Sequence, residues 1–173
     1  MQDLVKLLES NPYPGRGIVV GQNVVYYWIM GRSFNSRNRI FVETEDGIRT
    51  EAHQPELVED PSLIIYHPVR TMGDDLVVTN GDQTDTIVEQ GDFIKGCMLR
   101  EFFAYEGADE GVGYFLSTYD GDGNPLPTFT GEPIEVSLPS PDEVWAALNN
   151  DNKISLYTNV AGDVKIYNKH LGD

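Results

Sequence analysis

From Gly17 to Met30 the chain is β-branched or aromatic at nearly every position, and only Gly21-Gln22-Asn23 interrupts it. Such side chains suit a pleated, packed surface, and a glycine-containing gap of this length joins a hairpin. Residues 17–20 and 24–30 are therefore predicted to be paired strands. Neither alternates apolar with polar, so the sheet they enter is expected to be covered on both faces.

Further strands are predicted at residues 39–43, 63–66, 76–79 and 114–117. A closing hairpin is predicted from Ile154-Ser155-Leu156-Tyr157 and Val164-Lys165-Ile166-Tyr167 around Ala161-Gly162-Asp163. Helical spacing appears in Asp3-Leu4-Val5-Lys6-Leu7-Leu8-Glu9, stopped by Asn11-Pro12-Tyr13-Pro14-Gly15. One longer helix is expected from Asp85 to about Phe103, with Gly91 and Gly96 working against it. Ser140-Pro141-Asp142-Glu143 is a capping box with proline at the first helical position, the best-marked boundary in the chain. No repeat or linker divides the 173 residues, so one α+β domain over 1–173 is expected, with helices packed over sheet.

Several function classes are excluded by composition. No apolar run approaches the ~20 residues that cross a bilayer, and the start of the chain has no basic, apolar and small-residue pattern of a secretory signal. A cytoplasmic protein is expected. A single cysteine, Cys97, permits no internal disulfide and no Cys-x-x-Cys pair, and three scattered histidines have no metal-ligand spacing. Neither a metal nor an organic cofactor is expected.

Twelve Lys and Arg against 28 Asp and Glu give a formal charge of −16, which repels nucleic acid and anionic membranes. A small anion could bind only where cations gather. Arg16, Arg32, Arg37 and Arg39 do gather in sequence, four of the twelve cations within one short stretch.

Each candidate motif has a functional and a plain reading. Gly31-Arg32-Ser33-Phe34-Asn35-Ser36-Arg37-Asn38-Arg39 offers guanidinium forks, hydroxyls and amides, the chemistry of a phosphate or carboxylate pocket. It is equally a solvated loop whose arginines pair with the surplus acids. Tyr66-His67-Pro68-Val69-Arg70 places a phenol, an imidazole and a guanidinium at a strand end, or simply buries a tyrosine with its hydroxyl at the rim. Thr79-Asn80-Gly81-Asp82-Gln83-Thr84-Asp85-Thr86 leads a tight turn into a helix, where N–H groups hold an anion or are capped by Asp82 or Thr84. Glu106 follows the long predicted helix, where the negative end of the helix dipole favours its protonated form. Cys97 reads as a small core residue. Asp120-Gly121-Asp122-Gly123-Asn124 imitates the start of a calcium loop, but Pro125 and Gly131 stand where that loop needs Gly and Glu, so a turn is expected.

Taken together, these segments resemble the archaeal-type IMP cyclohydrolase family. The likeness rests on Tyr13-Pro14-Gly15-Arg16-Gly17, on Tyr27-Trp28-Ile29-Met30-Gly31-Arg32-Ser33 running into Asn35-Ser36-Arg37-Asn38-Arg39, and on the string from Val77 to Ile87. It spans roughly residues 11 to 106. It implies an Ntn-hydrolase-like four-layer α/β/β/α sandwich of mainly antiparallel sheets, without the usual self-processed nucleophile. It also implies closure of the purine six-membered ring, from formamido-imidazole-carboxamide ribotide to IMP and water, by a homo-oligomer. Beyond Glu106 the chain departs from the family pattern, with Gly107-Ala108-Asp109-Glu110-Gly111-Val112-Gly113 in place of a Pro-Asp and a later Thr-Pro-Arg-Ile segment. A purine-nucleotide binder or sensor without turnover is the alternative that this departure leaves open.

By this resemblance the catalytic candidates are Arg37, Tyr66 and Glu106. Ring closure needs two floppy substituents oriented, an oxyanion stabilised and protons moved. The expectation is that Arg32 and Arg39 hold the 5′-phosphate and Arg37 orients the carboxamide or meets the oxyanion. Glu106 acts as base and Tyr66 as donor. Asn80, Thr84, Asp85 and Thr86 line ribose and base, and Arg16, Ser33, Asn35 and Asp82 complete the substrate-binding set.

Overall fold

The computed structural model describes residues 1–11, 15–104 and 135–169. The apolar run forms β1 (Arg16–Gly21) and β2 (Val24–Met30), antiparallel, with Ile18 opposite Tyr27 and Val20 opposite Val25. Alternation along β2 sends Tyr26, Trp28 and Met30 into one core and Tyr27 and Ile29 into another. β2 is thus covered on both faces, as its composition requires. β1 is not, because it lies at the sheet edge with Ile18 41% and Val20 70% exposed.

On its other side β2 pairs with β7 (Lys153–Val160), and β7 with β8 (Asp163–Asn168), both antiparallel. Ala161 and Gly162, at φ 52° and 86°, make the closing turn, whose positive φ values match the twist of a two-residue hairpin. The sheet order β1-β2-β7-β8 joins the first hairpin to the last through β2 and β7.

A second antiparallel sheet is built from β3 (Arg39–Thr44), β4 (Gly47–Ala52), β5 (Val69–Met72) and β6 (Asp75–Val78) in that order. β4 and β5 escape the sequence reading because Arg49-Thr50-Glu51 and Arg70-Thr71 dilute the apolar signal and pairing with neighbours supplies the rest. The predicted strand at 63–66 is absent. Pro61–Leu63 forms a 3-10 turn with the Asp60 carboxylate accepting from the Ser62 N–H, and the following residues run beside β4 without entering its ladder. Thr50 explains this: its hydroxyl accepts from the Tyr66 N–H at 2.9 Å, where a ladder would use a carbonyl.

Two short helices cover the first sheet. α1 (Leu4–Ser10) is capped by Asp3, and α5 (Pro141–Ala147) carries the predicted capping box. A further single turn, α2 (Phe34–Arg37), is capped by Ser33. Leu4, Leu8, Val144, Trp145 and Leu148 pack on Tyr26, Trp28, Met30 and Leu156. Between the sheets lie Tyr27, Ile29, Phe41, Ile48, Val69, Ile154 and Tyr157. Against β5 and β6 sits α3 (Gln83–Gln90), which packs on α4 (Phe93–Ala104). The one helix predicted from Asp85 is therefore two, divided at Gly91, whose φ of 64° ends α3 in a left-handed cap. Gly96 lets the two helices meet, since a Cβ there would stand 2.5 Å from Ile87 Cα.

The fold is thus α+β, with two antiparallel four-stranded sheets. No helix among the described residues is long and apolar enough to cross a membrane. The predicted strand at 114–117, the turn at 120–124 and Glu106 lie outside the described residues.

Candidate active site

Arg16 opens β1 and Arg39 opens β3, on different sheets, yet both reach Tyr66. The Arg16 guanidinium lies 5.1 Å from the Tyr66 ring centroid and donates from Nη1 to the Asn80 carbonyl at 2.6 Å and to its Oδ1 at 3.1 Å. Arg39 is buried, 4% exposed, with Nε donating to the Ser36 carbonyl at 2.7 Å and its charge acting on Tyr66. Burial holds the Arg39 pKa below the usual arginine range; Tyr66 and Tyr27 oppose that shift and Arg16 adds to it. It stays a cation at any working pH.

Tyr66 is itself buried, and its hydroxyl stands 3.3 Å from that of Tyr27. Burial first and Tyr66 second push the Tyr27 phenol well above its ordinary value, with Arg16 and Arg39 pulling the other way. Buried Arg39, Tyr27 and Tyr66 therefore share one corner, with exposed Arg16 lying over Tyr66 at its rim. Among the described residues neither Arg16 nor Arg39 forms a salt bridge with a carboxylate, in a chain of charge −16. Among the described residues these two arginines do not pair with the surplus acids. Arg39, a buried cation with no carboxylate partner among the described residues, is suited to an anionic ligand.

The turn after β6 forms the rim. Thr84 does not cap α3 but lies inside it, buried, with Oγ1 2.7 Å from Thr79 Oγ1. Asp82 occupies the N-cap position without a side-chain capping hydrogen bond. Asp85 receives Arg70 Nη1 at 2.9 Å on one oxygen and meets His67 Nδ1 at 3.1 Å on the other, while Arg70 Nε donates to Asp46 at 2.8 Å. Both oxygens of Asp85 are thus engaged within the protein. Thr86 is half-buried on α3.

The remaining candidates sit around α2. Ser33 accepts from the Ser36 N–H at 3.0 Å, and exposed Arg32 precedes it. Asn35 is half-buried, its Oδ1 without a hydrogen-bond partner among the described residues. Exposed Arg37 donates from Nε to the Gly31 carbonyl at 2.9 Å and from Nη2 to Asn152 Oδ1 at 3.1 Å, which fixes the plane of its guanidinium beside the end of β2.

Of the predicted residues, then, the structure brings together Arg16, Arg39, Tyr66 and Asn80. Sequence reasoning passed over Tyr27, which reads as one more aromatic in a strand. Its parity was the available signal, because it shares a face with Ile29 and not with Tyr26 or Trp28. Among the described residues no three His, Cys, Asp or Glu side chains gather as metal ligands. The corner can bind an anion or an electron-rich oxygen and offer it phenolic hydrogen.

Compared with known protein families, the chain matches the one described as IMP cyclohydrolase-like protein over residues 13–105. The match covers more than half of the sequence, takes in every candidate from Arg16 to Thr86 and ends one residue before Glu106.

Proposed function

The chain belongs to the IMP cyclohydrolase-like family, and from that premise we propose that it closes the purine ring of formamido-imidazole-carboxamide ribotide to give IMP and water. The observation that carries this reading is the approach of Arg16 and Arg39 to Tyr66 with no carboxylate partner among the described residues.

The carboxamide nitrogen attacks the formamide carbon, and the carbonyl oxygen becomes an oxyanion that takes up the proton shed by nitrogen. The resulting carbinolamine loses hydroxyl and the proton of the neighbouring ring nitrogen as water. Arg39 and Tyr66, buried together, are placed to stabilise that oxygen, since fixed donors act most strongly where water is excluded. Arg32, exposed beside Ser33, takes the 5′-phosphate, and the anchored Arg37 orients the carboxamide. Glu106 is the base in this reading. Asn80 and Thr86 line the ribose and base, and Asp85 acts through His67 and Arg70. Holding the two substituents in attack geometry can supply ~7–11 kcal/mol. The same reading takes the chain as one domain with an Ntn-hydrolase-like four-layer order: α1 and α5, the two sheets, then α3 and α4.

Purified protein incubated with the formamido ribotide, followed by absorbance and corrected for the uncatalysed reaction, tests this. IMP formation above background supports it. Calorimetric binding of IMP without turnover replaces it with the nucleotide-binder reading, and no binding of either ribotide sinks both. The riboside should bind far more weakly than the ribotide, because it leaves the arginines unpaired.

A further inference from the structure

Donors and acceptors among the described residues favour one direction for the hydrogen bond between Tyr27 and Tyr66. The oxygens lie 3.3 Å apart and distance alone allows either to donate. Tyr27 is wholly buried, and among the described residues its hydroxyl has no partner but Tyr66. Were Tyr66 the donor, the Tyr27 hydrogen would be buried without an acceptor. With Tyr27 as donor only lone pairs are left bare, and the stranded N–H or O–H is the costlier fault. Burial also keeps Tyr27 protonated at any working pH, so the hydrogen is always there to give.

Arg39, whose charge acts on Tyr66, has no lone pair on its guanidinium to offer and so cannot accept the Tyr66 hydrogen. In the pair with Tyr27 the Tyr66 oxygen is then the acceptor. Its own hydrogen must point elsewhere, and among the described residues no acceptor receives it.

We propose that Tyr27 is a positioning residue: by donating to the Tyr66 oxygen it turns the Tyr66 hydrogen away from itself and toward an acceptor oxygen of the ligand. That the ligand oxygen is the one lost in ring closure rests on the function proposed above; the direction of the hydrogen bond does not. In the dehydration step the C–O bond breaks with its electron pair on oxygen, which takes the Tyr66 proton and leaves as water. The lone pair of the ring nitrogen forms the C=N bond, and the proton that nitrogen gives up restores Tyr66. Meanwhile the Tyr27 donation, already in place, and the nearby charge of Arg39 hold the transient phenolate.

Neutron diffraction of the deuterated wild-type protein tests the direction by itself. The deuteron of Tyr27 should lie on the line to the Tyr66 oxygen, and that of Tyr66 should point away from both Tyr27 and Arg39. A Tyr66 deuteron aimed at Tyr27 overturns the proposal. Kinetics supply the second readout. Tyr27→Phe keeps the ring stacked on Phe41, now 5.7 Å away between centroids. It should leave the calorimetric Kd for IMP within about threefold while kcat falls at least about tenfold. An unchanged kcat overturns the proposal even if the fold is intact. A wild type that binds IMP without turnover removes the reaction assigned above, and the neutron result then decides the donor direction alone.

Discussion

The Arg16 guanidinium covers the face of the Tyr66 ring, 5.1 Å from its centroid. The same group donates twice to Asn80, so one side chain ties the edge of the first sheet to the turn that leads into α3. Its orientation is set by two partners of different kind, a π face and an amide.

Replacing Arg16 should therefore weaken ligand binding more than it weakens the fold. Arg16→Ala is expected to raise the Kd for IMP about 10- to 100-fold, the worth of a charge-assisted hydrogen bond. Arg16→Lys should recover only part of this, because an ammonium cannot reproduce the planar fork over the ring. Isothermal calorimetry decides the matter; an unaltered Kd in the alanine variant removes Arg16 from the site.

Tyr66→Phe keeps the apolar body of the side chain and loses the hydroxyl. On the reading above kcat should drop about 10²- to 10³-fold with KM little changed, as for loss of one oxyanion donor. A variant that loses affinity but not turnover would instead mark Tyr66 as a binding group.

Asn168 joins the two sheets. Its Oδ1 accepts from the Phe41 N–H at 2.8 Å and the Ser155 hydroxyl at 2.5 Å, and its Nδ2 donates to the Phe41 carbonyl at 2.9 Å, all buried. Asn168→Ala strands both backbone groups of Phe41 and should cost about 2–4 kcal/mol in urea unfolding. A loss below about 0.5 kcal/mol would show that water or a neighbour replaces the amide.

Acid should weaken the fold through Asp46. Burial alone would raise its carboxyl, but the hydrogen bonds and charge of Arg70, with help from Thr44, hold it below the ordinary carboxylate range. A carboxylate depressed on folding contributes stability that is complete above the unfolded value of about 4 and is lost as pH falls through the lower folded value. Unfolding free energy should therefore decline below about pH 4, and less steeply in Asp46→Asn. Equal acid slopes in the two proteins would dismiss the Arg70 pairing as a source.

At Gly96 the contact between α3 and α4 leaves no room for a methyl group, since a Cβ would meet Ile87 Cα at 2.5 Å. Gly96→Ala should destabilise by about 1–3 kcal/mol, as overpacking does, despite the better helix propensity of alanine. Thermal unfolding that is unchanged or shifted upward would mean that the two helices separate at little cost.

What the sequence by itself determined were the elements whose signal is local. The apolar hairpin of β1 and β2, the Ser140 capping box and the closing hairpin around Ala161-Gly162 each follow from neighbouring residues, because dihedral preference and cap chemistry act within a few positions. Tertiary structure alone decided the rest. β4 and β5 exist because β3 and β6 pair with them, while Leu63 to Tyr66, more apolar than either, is kept out of the ladder by Pro61 and the Thr50 hydroxyl. In the arginine stretch, spacing could not say that Arg39 is buried beside Tyr66 and Tyr27 while Arg37 fastens the end of β2 to Asn152. Nor could it say that Arg16 would join them from another sheet. Which guanidinium faces a ligand depends on groups tens of residues away, and charge and hydrogen bonding act through space, which a linear pattern does not record.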